Sequence, residues 1–323
     1  MALITKDSRM LASELISRAQ RLHAGGQLLA AASCYQSALA LGASVEEVSP
    51  KLVQVYAGLK LFSHAARAAR RAAQCPGADE GLLNLAHQLE ARATALPDAR
   101  LSMGVNEVSR WSSLSKAIQR VEIGRPLRVL DVGGGTGGLH LFIEDCQYVL
   151  AEPSVNGLDG CSLPFAPDSF DVVVSCHVLE HIPVGEREVF LDNMAKIASR
   201  RLILLNPFQN DNFDERARLE LMIRITQAQW AKEHLECGLP PRSLVRQWAE
   251  TRGYTCRFTP NGSVPLGVSL ALLDHYAVAA GKVAELMEIR RFFNTAFVPL
   301  PVGEEDAGSW LVEVDVCEDP SQP

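Results

Sequence analysis

The stretch Leu130-Asp131-Val132-Gly133-Gly134-Gly135-Thr136-Gly137-Gly138 constrains this chain more than any other. An apolar run ends on an acid and then turns through glycines. Glycine takes φ > 0 without a Cβ penalty and lets a ligand lie against bare main chain. The residues that follow predict a helix over 138–144, whose first N–H groups are free. Strand, glycine turn and helix in that order make a nucleotide-type site at the carboxyl end of the first strand of an α/β sheet. Gly138 is followed by Leu139 instead of Lys and Ser/Thr, which excludes a phosphate loop. Gly133, Gly135 and Gly138 satisfy G-x-G-x-x-G, and Glu152 lies 21 residues beyond Asp131, a spacing that suits a dinucleotide.

Around this stretch the pattern alternates. Strands are predicted over 127–132, 148–151, 170–175 and 202–205, and helices over 186–199 and 241–252. The segment 310–316 reads as a last edge strand. The fold class expected is α/β, a Rossmann-like, mainly parallel sheet with helices on both faces and a last antiparallel strand. An all-α, repeat-like domain precedes it. There the apolar residues recur at helical spacing, with helices ending near Leu22, followed by 28–38, 48–59, 63–73 and 81–95. Ala31, Tyr35 and Ala38 have counterparts 34 residues on, at Ala65, Ala69 and Ala72. That period resembles the tetratricopeptide repeat. The domains expected are 1–97, a bridging helix within 98–125, and 126–323 with an acceptor or lid insertion at about 209–300. A single helix is predicted over 270–289. The N-terminal helices are expected to bind a protein partner or a second copy, and to stand apart from the cofactor site.

The net charge of −7 is uneven. Residues 1–125 hold 15 Lys+Arg against 10 Asp+Glu, and the rest hold 16 against 28. Neither part has the basic excess of a nucleic-acid binder. No apolar run approaches the ~18 residues of a membrane span, and the N-terminus shows no apolar export segment. None of the 8 cysteines forms a C-x-x-C pair. They read as small buried hydrophobes in a reducing, cytoplasmic setting.

Downstream text narrows the ligand. V-L-D-V-G-G-G-T-G (129–137), L-P-F (163–165), S-F-D-V-V-V (169–174) and V-L-E-H-I-P (178–183), in this order, resemble the class I S-adenosylmethionine-dependent methyltransferases of the type 11-like kind. The resemblance implies S-adenosyl-L-methionine as cofactor. It places Asp131, Gly133, Gly135 and Gly137 at the methionine end and Glu152 on the ribose hydroxyls. Asp159 would face the adenine amine with Cys161 beside it, and the backbone up to His177 would close over the methionine. Only ten residues separate Glu152 from Leu163, where the family fits a helix and a further strand. A sulfonium cofactor carries positive charge and no phosphate, which suits these acidic neighbours.

His177-Val178-Leu179-Glu180-His181 also reads as H-x-x-E-H, a zinc-protease text. Ile182-Pro183 would cut the helix that this motif needs, so no metal is expected. Further on, the text E-H-L-E-x-G-L-P from Glu233 is similar to methyltransferases encoded with surface-polysaccharide enzymes, and it implies a sugar, glycan or other small-molecule acceptor. His181 and His234 are the candidates for a base. The function expected is in-line O-methyl transfer. The alternative is an inert methyltransferase-like fold acting with its helices as a scaffold.

Overall fold

The computed structural model describes residues 6–296 and 302–317. Residues 297–300, the end of the expected insertion, lie outside that description. The chain divides into two compact units, one of Met1–Ser102 with Glu122–Asp159 and one of Met103–Val121 with Gly160–Pro323. Six hydrogen-bonded strands of mixed sense lie among the described residues.

In the first unit, α1 (Lys6–Ala24), α2 (Leu28–Ala40), α3 (Val45–Gly58), α4 (Phe62–Ala73) and α5 (Gly81–Ala95) each pack on the next. Alanines allow the close approach, and Ala31, Ala38, Ala65 and Ala69 are fully buried. Helix α3 starts earlier than the periodicity predicts because Ser44 caps it, its Oγ accepting the Glu47 N–H at 3.4 Å. After these helices come β1 (Arg128–Val132) and β2 (Gln147–Ala151), which pair in parallel with Asp131 opposite Leu150. The helix predicted over 138–144 is only a 3-10 turn, Gly138–Leu141. Beyond β2, one helical turn, α7 (Pro153–Asn156), is capped by the Glu152 side chain.

The helices do not stand apart from the glycine loop, contrary to the sequence-based expectation. Ser33 Oγ on α2 donates to the Thr136 carbonyl at 2.7 Å. Ser37 Oγ accepts the Leu150 N–H at 2.9 Å. Arg18 Nε on α1 donates to the Val155 carbonyl at 2.6 Å. On α4, His64 Nε2 reaches the Leu141 carbonyl at 3.2 Å.

In the second unit, helix α6 (Val105–Gln119) and helix α8 (Arg187–Ile197) pack on the parallel pair β3 (Phe170–Cys176) and β4 (Ala198–Asn206). Strand β6 (Ala307–Asp315) runs antiparallel to β4 on one side and to β5 (Thr255–Ser263) on the other. The segment expected as a last edge strand is therefore an inner strand. The strand beyond it, β5, escapes the sequence pattern because Pro260-Asn261-Gly262 reads as a turn. An outer strand tolerates proline, since one side of it needs no ladder N–H. Helices α9 (Glu215–Thr226), α10 (Gln229–Cys237) and α11 (Arg242–Thr251) follow β4. The single helix expected over 270–289 is two, α12 (Val264–Ala279) and α13 (Val283–Ala296), with Gly281 at φ +69 between them.

Candidate functional site

The glycine loop of the first unit needs its glycines for two separate reasons. Gly133, Gly135 and Gly137 sit at φ +71, +56 and +80, a region that costs residues with a Cβ about 1–2 kcal/mol. Gly134 has no room: a Cβ there would stand 2.2 Å from Asp131 Oδ2. At Gly137 a Cβ would meet Ser33 Oγ at 2.2 Å. At Gly135 it would meet nothing within 4 Å, so the main chain there borders open space. His140 Nδ1 donates to the Gly137 carbonyl at 2.6 Å, and burial pushes the imidazole down to about 4.

Two acids flank this open main chain. Asp131 is buried, and its Oδ2 accepts the Tyr148 hydroxyl at 2.8 Å. Burial pushes its carboxyl up to about 7; Tyr148 works against the shift and the nearby Glu152 charge adds to it. Glu152 Oε2 accepts the Gly135 N–H at 3.1 Å, while Oε1 accepts the Ser154 N–H at 3.1 Å and its hydroxyl at 2.7 Å. Asp159, further along, is exposed.

The second unit holds a cavity of about 430 Å³, bordered by Arg110, His177, Glu180, His181, Trp230 and His234 among others. Glu180 is fully buried in the 3-10 turn Leu179–His181 after β3. Its Oε2 accepts the Asn206 amide. Its Oε1 faces His177 Nδ1 at 3.3 Å and His234 Nε2 at 3.7 Å, with no aligned hydrogen bond. Burial alone would raise the Glu180 carboxyl, but the adjacent His177, with a smaller contribution from His234, holds it below the usual range. His177 is a non-glycine residue at φ +57, at the end of β3, and its N–H donates to the Leu205 carbonyl at 2.8 Å. Burial, then the Arg110 charge, lowers its imidazole. His234 on α10 is pushed down to about 4 by burial, against the pull of Glu180. The His181 and His234 rings meet at a tilt of 60° with centroids 4.8 Å apart, and the Trp230 ring lies 5.3 Å from His234, edge-on. Cys161 is half-buried, its carbonyl accepting the Asn193 amide at 2.8 Å.

Within the second unit the fold thus brings His177, His181 and His234 together around Glu180. Within the first it gathers Asp131, the loop glycines and Glu152. Sequence reasoning missed Tyr148 as the partner of Asp131, Ser33 as the residue filling the space at Gly137, and Arg110 on the cavity wall. The nearest signal was the 34-residue alanine pattern, which marks α2 as closely packed but does not say against what.

Residues 107–257 match the family model of a methyltransferase domain. No curated protein matches the chain. Among solved structures it is similar to the YcgJ protein of Bacillus subtilis, at 14% identity over 63% of this chain and 97% of that one, with a TM-score of 0.37. It is also similar to phosphoethanolamine N-methyltransferase 2 of Haemonchus contortus, solved with S-adenosyl-L-methionine, at 12% identity over 66% and 56%, with a TM-score of 0.40. The matched residues include the glycine loop and His177, Glu180, His181 and His234, and the chain carries an S-adenosylmethionine-dependent methyltransferase domain there.

Proposed function

We propose that the glycine loop holds S-adenosylmethionine and that the cavity of the second unit takes a hydroxyl-bearing small molecule, a sugar or glycan unit, for O-methylation. The cavity carries the reading. Its volume suits a small molecule, and it combines an aromatic face at Trp230 with charged and polar groups at Arg110, Glu180 and three histidines. An aromatic side chain offers an apolar ring face beside polar tips, as a sugar ring requires.

The loop fits the cofactor in shape and charge. Open space over Gly135 admits a ligand against main chain, and Asp131 and Glu152 favour a cation. In this reading Asp131, Gly133, Gly135 and Gly137 hold the methionine end, Glu152 the ribose hydroxyls and Asp159 the adenine. Bound S-adenosylmethionine supplies a methyl group on a sulfonium. The chain aligns the acceptor oxygen and excludes water, effects worth up to ~7–11 kcal/mol. His181 and His234 are the groups that relieve the acceptor hydroxyl of its proton, a role worth roughly 10²–10⁴ in rate.

Methyl transfer from labelled S-adenosylmethionine to a panel of hydroxyl acceptors tests the reading. A sugar or glycan acceptor should turn over, and His181→Ala should lower turnover by about 100-fold or more with cofactor affinity unchanged. Turnover of amine acceptors alone would overturn it.

Asp131 adds a pH signature. A cationic ligand favours the ionised carboxylate, and in the free protein that form is lost as the pH falls through about 7. Cofactor affinity should therefore fall as the pH drops below 7, approaching about tenfold per unit, and Asp131→Asn should flatten the profile. Calorimetry between pH 5.5 and about 8 reads this; a flat wild-type profile would contradict the role of Asp131.

We read α1–α5 as tetratricopeptide-like hairpins with a surface for a protein partner or a second copy. The buried alanines of α2 and α4 at matching repeat positions support that reading. Among the described residues no helix is long and apolar enough to cross a membrane. Among the described residues none of the eight cysteines forms a disulfide, which suits the cytoplasm.

A further inference from the structure

The H-x-x-E-H text at 177–181 would, on a helix, set two histidines one turn apart. Pro183 prevents that helix, and the fold instead brings in His234 from α10. Ligand atoms of Glu180, His181 and His234 all lie within 4.8 Å of one another. We infer that these three side chains bind a divalent transition-metal cation inside the cavity, and that the acceptor is a molecule offering two adjacent oxygens to it. The acceptor part rests on the reading of the cavity given above; the cation site does not.

Two histidines and one carboxylate, with further positions open, form a ligand set for divalent iron, manganese or zinc. Three atoms of this set are buried without a hydrogen-bond partner, Glu180 Oε1, which faces His234 Nε2, and the Nδ1 atoms of His181 and His234. Glu180 is 0% exposed and His234 is 6% exposed. An ionised carboxylate at that depth is costly unless compensated, and a cation would compensate it. The other Glu180 oxygen is already held by Asn206, so the carboxylate is fixed from behind in the manner of an outer coordination shell.

Among the charged groups nearby, Arg218 is paired with Glu215 at 2.9 Å. Glu233 adds a carboxylate oxygen 2.8 Å from His181 Nδ1. Arg110 on the cavity wall and the buried Arg187, which feels the Glu180 charge, are the opposing positive charges. Metal–ligand bonds of about 2.0–2.2 Å set ligand atoms about 3–3.5 Å apart. The His234–Glu180 pair, at 3.7 Å, is close to that already. The widest pair must close by about 1 Å, within reach of side-chain rotation.

The open positions suit a vicinal diol, an oxygen chelator that a sugar ring provides. With the cation bound, His181 and His234 would serve as its ligands in place of acting as bases; the cation would acidify the acceptor O–H, the electron pair would stay on oxygen and the proton would leave to solvent. Methyl transfer then forms the O–C bond and breaks the S–C bond, leaving a neutral sulfide.

The test uses the full chain, stripped with a chelator and titrated with Mn²⁺, with free Mn²⁺ read by electron paramagnetic resonance. One Mn²⁺ per chain is expected. Glu180→Gln and His234→Gln should each weaken uptake at least about tenfold. His181→Gln, at a half-buried position, should do the same and serves if the buried variants fail to fold. No uptake by the wild type, or equal uptake by all three variants, would overturn the site. S-adenosylmethionine calorimetry on the same stripped protein separates the two readings. Cofactor binding without Mn²⁺ uptake removes only the metal, whereas Mn²⁺ uptake without cofactor binding removes the cofactor assignment.

Discussion

A chain beginning at Leu101 is expected to lose S-adenosylmethionine binding outright. The glycine loop and β2 belong to the same compact unit as α1–α5. Removing those helices takes away Ser33 from the Thr136 carbonyl, Ser37 from the Leu150 N–H, His64 from the Leu141 carbonyl and Arg18 from the Val155 carbonyl. Polar groups left without partners cost about 1–3 kcal/mol each where they remain buried. Four such losses, added to the apolar surface uncovered, are comparable with the ~5–15 kcal/mol that holds a domain folded. Calorimetry with S-adenosylhomocysteine, alongside a melting curve, measures the outcome. Affinity within tenfold of the full chain would show that the loop holds its shape without the helices.

Gly137→Val is the second large effect. At φ +80 a branched side chain is strained, and its Cβ would stand 2.2 Å from Ser33 Oγ and 3.0 Å from the Tyr148 hydroxyl. Left-handed strain of about 1–2 kcal/mol and overpacking of about 1–3 kcal/mol add to roughly 2–5 kcal/mol. Relief must come from moving the loop or α2. Cofactor affinity should fall by about 100-fold or more, and the melting temperature should drop by several degrees. Gly135→Ala isolates the strain, because its Cβ meets nothing within 4 Å in the free protein. Full affinity in Gly137→Val would mean that the loop does not depend on its contact with Ser33.

The sequence made legible what local chemistry encodes. Gly133, Gly135 and Gly137 were singled out as turn glycines, and all three have positive φ. The valine-rich run before Ser175 is a buried strand, and Pro183 does end the turn at His181. Long-range meetings leave no such trace. Glu180 and His234 are 54 residues apart, and nothing in either segment says that α10 returns to the end of β3. Ser33 reads as a small helix residue until β1 and β2 are placed beside α2. Strand β5 hides behind its own turn-like text because an outer strand needs only one satisfied edge.

In the proposed function the Asp131–Gly137 loop holds the cofactor. The most direct measurement is a crystal structure of the full chain grown with S-adenosylhomocysteine. The amino-acid end of the ligand is expected against Asp131, Gly133 and Gly135, with the Glu152 carboxylate on its ribose hydroxyls. A ligand bound elsewhere, with the Gly135 main chain still bare, would contradict it.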